Sequence, residues 1–404
     1  MAIDTPAKLA IIGAGPIGLE AALYGRFLGY DVVIFERAQV GEHVRWSHQV
    51  KSFAPFAQTC SPLGLAAITA QDESYEAPAG DAHLTGQEWL DRYLLPLAET
   101  DLLSDHLRLR TRVVSIGKEQ VRRTDRAADL PEGDERGDWS FRLLVQDAEG
   151  NERIEEADAV LDCSGVRSHI QWCGHGGLPA IGERQLQQEI VYHLPDLLGV
   201  DQAKYAGKNT LLIGHGDSAA QAAVDLAQLI EIDPTTRFSW ITRHEHQPAG
   251  GPVKIDSHDP LPLRQERRAR ANAIAAQSGN WHWGTHVEKI VRREPEGALV
   301  VSFSGQHAGE DSFDCILALV GSRPDVSMLA ELQVDLDPVT AGLRNPFHQL
   351  IHPEDNFYIL GEKSFGRKSG FLFTDGLRQI RQLFAILGDR PTLDLYAGGQ
   401  PELD

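Results

Sequence analysis

Cysteine is scarce in this sequence, and long apolar runs are absent. Its 404 residues include four cysteines, Cys60, Cys163, Cys173 and Cys315. No two of them have the C-x-x-C or C-x-x-x-x-C spacing of zinc ribbons and redox-active dithiols, and so few exclude a disulfide-stabilised scaffold. No stretch of about 18 apolar residues is present, and the first residues do not resemble a secretory leader. We therefore expect a cytoplasmic protein without a membrane-spanning helix.

Basic residues are outnumbered by acidic ones. The chain has 38 Lys and Arg against 58 Asp and Glu, a formal net charge of −20. Phosphate backbones and anionic lipids repel such a chain, so we expect no nucleic acid and no membrane as partners, and a small-molecule substrate instead. The length suggests two or three domains of ordinary globular composition. Residues 41–85 are expected to be irregular, 86–100 to form an amphipathic helix and 107–116 to form a strand. Residues 119–138, rich in acids and arginines, are expected to form a solvated hairpin loop.

A strand, a glycine-rich turn and a helix begin the chain. The apolar run Lys8–Ile12 predicts a buried strand, residues 19–28 predict a helix, and Asp31–Phe35 predicts the next strand. The turn between strand and helix has the G-x-G-x-x-G spacing and comprises Gly13, Gly15, Pro16, Ile17 and Gly18. Its glycines allow a tight turn, close approach of a pyrophosphate to the backbone, and close packing of helix on strand. The pyrophosphate then meets the helix N-terminus, and Glu36 can accept hydrogen bonds from a ribose, so the pattern predicts a dinucleotide site.

The same pattern recurs after a predicted strand at 209–213. Its residues are Gly214, Gly216, Asp217, Ser218 and Ala219, with the alanine that the fingerprint permits in the third position. The following strand, 237–242, ends at Arg243 rather than at an acid, which favours the 2′-phosphate of NADPH over NADH. Four arginines lie nearby, Arg264, Arg267, Arg268 and Arg270. On a helix three of them share a face, which is consistent with a second phosphate contact or with a solvated surface.

The order of these motifs resembles that of the flavoproteins with two dinucleotide-binding domains, which include thioredoxin-reductase-like enzymes and flavin-containing monooxygenases. The resemblance is carried by GAGPIG with Glu36, DCSG at 162–165, GHGDSA with Arg243, DCILALVGSRPD at 314–325 and NFYILGE at 356–362. It implies an α/β fold of two Rossmann-like domains, with FAD in the first and NADPH in the second. It also implies that an NAD(P)H-binding domain at 166–320 is inserted into a discontinuous FAD-binding domain at 1–165 and 321–404.

The resemblance implies further contacts to FAD. Gly361 and Glu362 stand where the family has a Gly-Asp pair, and Gly165 belongs to a linker segment. Arg37 follows the ribose acid, Trp46 lies in a loop that commonly covers FAD, and Val113 lines the adenine through its backbone. Core packing is an equal alternative for Trp46. The last helix, 374–387, is expected to direct its N-terminus at the flavin, with Asp375 as an acid of its first turn.

The sequence is compatible with three hypotheses about the reaction. The family's redox dithiols are missing. The monooxygenase fingerprint that precedes the second glycine motif is matched only in part, by Gly182 with Tyr192 and His193. The first hypothesis is an FAD enzyme that NADPH reduces and that uses O₂ to oxygenate a small nucleophile. The second is a reductase of a low-molecular-weight disulfide, a quinone or a small redox protein, with Cys60, Cys163 or Cys173 as a single-thiol variant. The third is a non-catalytic nucleotide sensor.

The sequence identifies no catalytic side chain and no metal site. His43, His48, His193, His215 and His244 show no metal-ligand spacing, and His215 lies inside the second glycine turn. A homodimer is compatible with the sequence.

Overall fold

The computed structural model describes residues 3–126, 130, 135–244, 250–293 and 297–397. It divides the chain into two compact units. Unit 1 comprises Met1–His169 and Arg323–Asp404, and unit 2 comprises Ile170–Ser322. The sequence analysis places domain boundaries after residues 165 and 320, whereas these units end at 169 and 322.

Unit 1 contains strands β1 to β7 and β18. Their bounds are β1 Lys8–Ile12, β2 Asp31–Phe35, β3 Leu107–Arg108, β4 Arg112–Lys118, β5 Phe141–Gln146, β6 Glu152–Ala157, β7 Ala159–Asp162 and β18 Phe357–Ile359. Its helices are α1 Pro16–Phe27, α2 Glu42–Arg45, α3 Pro62–Gln71, α4 Gly86–Trp89, α5 Leu95–Ala98, α9 Glu362–Phe365 and α10 Phe373–Leu387. A π-helical segment spans Leu90–Leu94, and 3₁₀ turns span Phe56–Gln58, Ser104–His106, Arg136–Asp138 and Ser327–Leu329.

Unit 2 contains strands β9 to β16. Their bounds are β9 Ile190–Val191, β10 Asn209–Ile213, β11 Arg237–Ile241, β12 Trp281–His282, β13 Thr285–Arg292, β14 Leu299–Gly305, β15 Gly309–Phe313 and β16 Cys315–Ala318. Its helices are α6 Gln202–Tyr205, α7 Asp217–Ile232 and α8 Pro262–Ser278, with a 3₁₀ turn at His175–Gly177. Strands β8 His169–Ile170 and β17 Ser322–Arg323 lie at the boundaries between the units.

Each unit is built on a parallel five-stranded sheet, which confirms the predicted α/β fold class. In unit 1 the strand order is β18-β7-β1-β2-β3, and in unit 2 it is β12-β11-β10-β16-β9. Both central strands are buried except at their first residues, as expected for parallel strands that are covered on both faces. An antiparallel three-stranded sheet accompanies each, β4-β5-β6 in unit 1 and β13-β14-β15 in unit 2. Because the carboxyl ends of parallel strands meet at one edge, each glycine turn lies at that edge of its sheet.

Four sequence expectations differ from the structure. The helix expected over 86–100 is divided by the π-helical segment, and the strand expected over 107–116 is interrupted at Arg110, whose φ of 51° is left-handed. The segment 41–85, expected to be irregular, contains α3, which Ser61 caps by accepting a hydrogen bond from the N–H of Gly64. Arg136 is buried in an ion pair with Glu354, so the segment 119–138 is not solvated throughout. Residues 127–129 and 131–134 of that segment lie outside the described residues.

Candidate functional site

The first glycine turn follows β1 and leaves a space in front of α1. Gly13 has a φ of +103°, and a Cβ there would lie 2.8 Å from the carbonyl oxygen of Cys163 at the end of β7. A Cβ on Gly18 would collide with the carbonyl oxygen of Gly13. Gly15, in contrast, has extended backbone at φ −81° and ψ −179°, with nothing within 4 Å of an added Cβ. Two glycines are therefore required by packing, and the middle one borders an open space at the helix N-terminus.

The second glycine turn repeats this arrangement in unit 2. Gly214 has a φ of +136°, and its Cβ would collide with the carbonyl oxygen of Leu319, directly after β16. Gly216 has extended backbone at φ −91° and ψ −174°, again with nothing within 4 Å of an added Cβ. Ala219 is fully buried beneath the turn. Both turns thus have the open cradle and the free helix N–H groups that a pyrophosphate needs, and the residues fit a dinucleotide in each unit.

Glu36 lies beside the first turn and is 9% exposed. Its carboxylate accepts hydrogen bonds from the N–H groups of Ala14 and Ala38, both at 2.9 Å. Burial raises the pKa of this carboxyl, and the two N–H donors act in the opposite direction. Each carboxylate oxygen keeps a second acceptor position, so Glu36 can hold the turn and still accept from a ribose hydroxyl.

Residues after Glu36 are attached to the same turn. The N–H of Gly41 donates to the carbonyl oxygen of Ala14 at 3.0 Å, which brings α2 to the turn. The Arg37 guanidinium lies 3.3 Å from Nε2 of His43, and the rings of His43 and Trp46 meet edge-on with centroids 4.7 Å apart. Burial, assisted by the Arg37 and Arg167 charges, lowers the pKa of His43 to about 4. Trp46 is 36% exposed, so its side chain is not a core residue of unit 1.

The remaining sequence-predicted residues of unit 1 lie around this edge. The N–H of Thr111 donates to the carbonyl oxygen of Glu36 at 2.8 Å, which places Val113 two residues from that contact. Gly361 has a φ of +70°, and its Cβ would lie 3.3 Å from Ile17 in the turn. Gly165 also has a φ of +70° and open space around it, and Glu362 lies 3.7 Å from Nε of Arg167.

In unit 2, two of the four arginines near the second turn are ion-paired, and Arg270 is exposed. Arg268 forms a bidentate pair with Asp217, with N–O distances of 2.6 and 2.9 Å, and Arg264 pairs with Asp259 at 2.5 Å. Arg267 donates a hydrogen bond to Gln221. Arg243 is exposed at the end of β11, and Ser218 is exposed in the first turn of α7. The arginine-rich helix therefore has two arginines held by Asp217 and Asp259 and one that is exposed, and the second phosphate contact stays a prediction.

Two histidines lie next to Arg243. The rings of His215 and His244 meet edge-on with centroids 4.7 Å apart. Burial, assisted by His244 and Arg243, lowers the pKa of His215 to about 4, and burial and Arg243 lower that of His244. A bound phosphate would reverse this effect, because an anion favours the protonated imidazoles. Arg243 and the two rings can together form a cationic group at the carboxyl end of β11.

The four thiols have environments that oppose ionisation. Burial raises the pKa of Cys60 to about 12, and it also raises the pKa of Cys315. Burial, followed by the charge of Asp162, raises the pKa of Cys163, and burial with Glu183 does so for Cys173. Because the thiolate is the nucleophile, none of these residues is a favourable reactive thiol.

The sequence analysis missed a polar cluster at the carboxyl edge of the unit 1 sheet. Lys363 and Asp162 form an ion pair of 2.5 Å, with side chains 1% and 0% exposed. Lys363 also donates to Oγ of Ser164 at 3.1 Å. Nearby, the buried Gln379 accepts a hydrogen bond from the N–H of Gly361 at 2.8 Å. Asp162 and Ser164 belong to the DCSG motif, but no spacing rule connects them with a lysine some two hundred positions later.

The described residues contain no group of three or more His, Cys, Asp or Glu side chains placed to bind a metal ion. None of the helices in the described part of the chain has the length and apolar character needed to cross a bilayer.

The fold is similar to that of solved reductases and of a solved monooxygenase. Bacillithiol disulfide reductase from Bacillus cereus matches with a TM-score of 0.70 and 16% identity over 95% of this chain and 99% of its own. The FAD-bound cadaverine monooxygenase DfoA from Erwinia amylovora matches with a TM-score of 0.63 and 14% identity over 99% of this chain and 100% of its own. Thioredoxin reductase from T. acidophilum matches with a TM-score of 0.59 and 18% identity over 94% and 97%. No family model matches the chain, and no curated protein sequence matches it.

These likenesses confirm the predicted α/β fold with Rossmann-like parallel sheets. Reductases and monooxygenases share this fold, so the chemistry of this chain has to be argued from its own residues.

Proposed function

We propose that this protein is an FAD- and NADPH-dependent oxidoreductase that oxygenates a small nucleophilic substrate with O₂. The observation that carries the proposal is the pair of open glycine turns, one in each unit, in a chain whose four thiols all resist ionisation. Two dinucleotide sites favour a flavin that a nicotinamide reduces. Unreactive thiols disfavour passing the electrons on through cysteine.

The roles of the residues follow from the two sites. In unit 1, the N-terminus of α1 and the backbone at Gly15 would hold the FAD pyrophosphate, and Glu36 would hold the ribose. In unit 2, the N-terminus of α7 and Gly216 would hold the NADPH pyrophosphate, and Arg243 the 2′-phosphate. FAD, when bound, would accept a hydride from NADPH and would supply the chemistry with O₂. The proposed domain roles are FAD for unit 1 and NADPH for unit 2.

A second candidate is an NADPH-dependent reductase of a low-molecular-weight disulfide. The fold is compatible with it, since a solved bacillithiol disulfide reductase has a similar fold. In that case electrons would pass from the flavin to the acceptor without a protein thiol, because Cys60, Cys163 and Cys173 all have raised pKa values.

The test is anaerobic reduction of the FAD-loaded protein by NADPH, followed by addition of O₂ or of an acceptor. The monooxygenase reading expects bleaching of the flavin by NADPH, slow reoxidation by disulfides and quinones, and an oxygenated product when an amine or sulfide accompanies O₂. Rapid anaerobic turnover with a disulfide would establish the second candidate instead. Failure of NADPH to bleach the flavin would overturn both readings.

An Arg243→Glu variant is expected to bind NADPH about tenfold or more weakly while NADH binding changes little, because a charge-assisted pair with the 2′-phosphate is replaced by repulsion. Dissociation constants for both nucleotides, measured by titration of protein fluorescence, check this. Arg237→Glu is the matched control, since Arg237 is also exposed but begins β11 at the opposite edge of the sheet. Equal weakening of NADPH and NADH binding in the Arg243 variant would overturn the assignment.

A further inference from the structure

The buried ion pair between Lys363 and Asp162 is completed by a serine to form a closed cluster. Nζ of Lys363 lies 2.5 Å from Oδ2 of Asp162 and donates to Oγ of Ser164 at 3.1 Å. The Ser164 hydroxyl and N–H in turn donate to Oδ1 of Asp162 at 2.6 and 3.1 Å. Asp162 is the last residue of β7 and Lys363 lies in the first turn after β18, so the cluster ties together the carboxyl ends of two adjacent strands.

The same residues border the first glycine turn. A Cβ on Gly13 would lie 2.8 Å from the carbonyl oxygen of Cys163 and 3.1 Å from Cα of Ser164. Gly361, two residues before Lys363, approaches Ile17 of the turn. The cluster therefore fixes the two segments against which the turn is packed.

Stability alone gives little reason for an ion pair at this place. Removing two charges from water is costly, and a well-packed apolar pair is often as stable as a buried salt bridge. Glu36 and Asp162 are two buried carboxylates at the edge where an anionic pyrophosphate is proposed to bind. Without Lys363, Asp162 would add an uncompensated negative charge there and oppose an anionic ligand.

We propose that Lys363 is a positioning residue for the dinucleotide of unit 1. It neutralises Asp162 and holds Ser164, so that the edge of the sheet is preformed around the glycine turn. This inference rests on the proposed function, because it assumes that FAD binds in unit 1. Lys363 acts through Asp162 and Ser164 and is not assigned a catalytic role.

The test compares Lys363→Met with a matched control in the same unit. Arg136 and Glu354 form another buried pair, at 2.8 Å, with side chains 8% and 0% exposed. Glu354 precedes β18, whereas Lys363 follows it, so the two pairs lie at opposite ends of that strand. Both Lys363→Met and Arg136→Met leave a buried carboxylate uncompensated, and both are expected to lower thermal stability.

The FAD dissociation constant and the flavin midpoint potential distinguish positioning from stability. Lys363→Met is expected to bind FAD about tenfold or more weakly, and the extra negative charge should make the midpoint potential more negative. Arg136→Met is expected to keep the wild-type values for both. If Lys363→Met keeps them as well, or if both variants weaken FAD binding equally, the inference is wrong.

A milder variant covers the case in which Lys363→Met does not fold. Ser164→Ala removes one contact of the ammonium group and leaves the ion pair. A raised FAD dissociation constant in this variant supports the positioning role, and an unchanged constant overturns it. If the wild-type protein itself fails to bind FAD, the proposed function has failed, and that result is distinct from an unchanged variant of an FAD-binding wild type.

Discussion

A Gly15→Val variant is expected to fold like the wild-type protein and to bind FAD about 100-fold more weakly. The backbone at Gly15 is extended, and nothing lies within 4 Å of an added Cβ, so valine causes no strain in the protein itself. Its side chain would instead fill the space at the N-terminus of α1, where a pyrophosphate must approach the backbone. Far-UV circular dichroism reports the fold, and fluorescence titration of FAD reports the affinity.

The equivalent change in unit 2 is the control for this experiment. Gly216→Val is expected to keep FAD and to weaken NADPH by a similar factor, because Gly216 also has extended backbone and nothing within 4 Å of an added Cβ. The two variants together assign one nucleotide to each turn. A Gly15→Val protein with wild-type affinity for FAD, or a loss of both nucleotides in either variant, would contradict the assignment.

A Gly18→Val variant would test whether the position of the substitution, and not its chemistry, decides the outcome. A Cβ on Gly18 would collide with the carbonyl oxygen of Gly13, so helix α1 could not pack as it does. We expect this variant to fail to fold, in contrast to the same substitution three residues earlier.

The parts of the fold that the sequence predicts are those with local causes. Strands Lys8–Ile12, Asp31–Phe35 and Asn209–Ile213 have the predicted bounds, because a short apolar run between turn residues is a complete signal for a buried parallel strand. The glycine turns also have local causes. The tight turn, the approach of a pyrophosphate and the packing of helix on strand each require a small residue at a fixed spacing.

The parts that the sequence could not predict depend on residues far apart in the chain. Lys363 pairs with Asp162 and Arg136 with Glu354, and no periodicity relates partners so distant. A lysine and an arginine are ordinarily exposed, so composition alone places both on the surface. Likewise, the π-helical segment Leu90–Leu94 contains Tyr93, a buried residue whose hydroxyl donates to Glu20 in α1, and no local pattern predicts that contact.

Glu20 is a buried carboxyl group that we expect to make stability depend on pH. It lies in α1, is fully buried, and accepts hydrogen bonds from the hydroxyls of Tyr93 and, at 3.4 Å, Tyr396. Burial raises its pKa from 4.5 to about 7, and the bonds to Tyr93, Ser61 and Tyr396 oppose that shift. Below pH 4.5 the group is protonated in both the folded and the unfolded protein and has no effect. Between pH 4.5 and 7 the unfolded chain loses the proton first, so the folded state loses stability as pH rises.

A Glu20→Gln variant is therefore expected to be more stable than the wild type at pH 8, by up to about 3 kcal/mol, with little difference at pH 4.5. Glutamine has nearly the same shape and keeps an acceptor for the Tyr93 hydroxyl, but it cannot ionise. Denaturant unfolding followed by circular dichroism at several pH values measures the difference. An advantage that does not change with pH would show that Glu20 does not titrate near neutrality in the folded protein.

His352, in the same unit, is expected to change stability with pH in the opposite direction. It is 5% exposed, and neither ring nitrogen has a hydrogen-bond partner among the described residues. Burial lowers its pKa from 6.5 to about 4. The unfolded chain therefore binds a proton before the folded protein does, and stability is lost as pH falls from 6.5 towards 4. A His352→Leu variant should gain stability relative to the wild type on the acid side, where Glu20→Gln gains little. A change in packing alone would give each variant a stability difference that is the same at every pH, so opposite pH trends would assign the effects to the titration of the two buried groups.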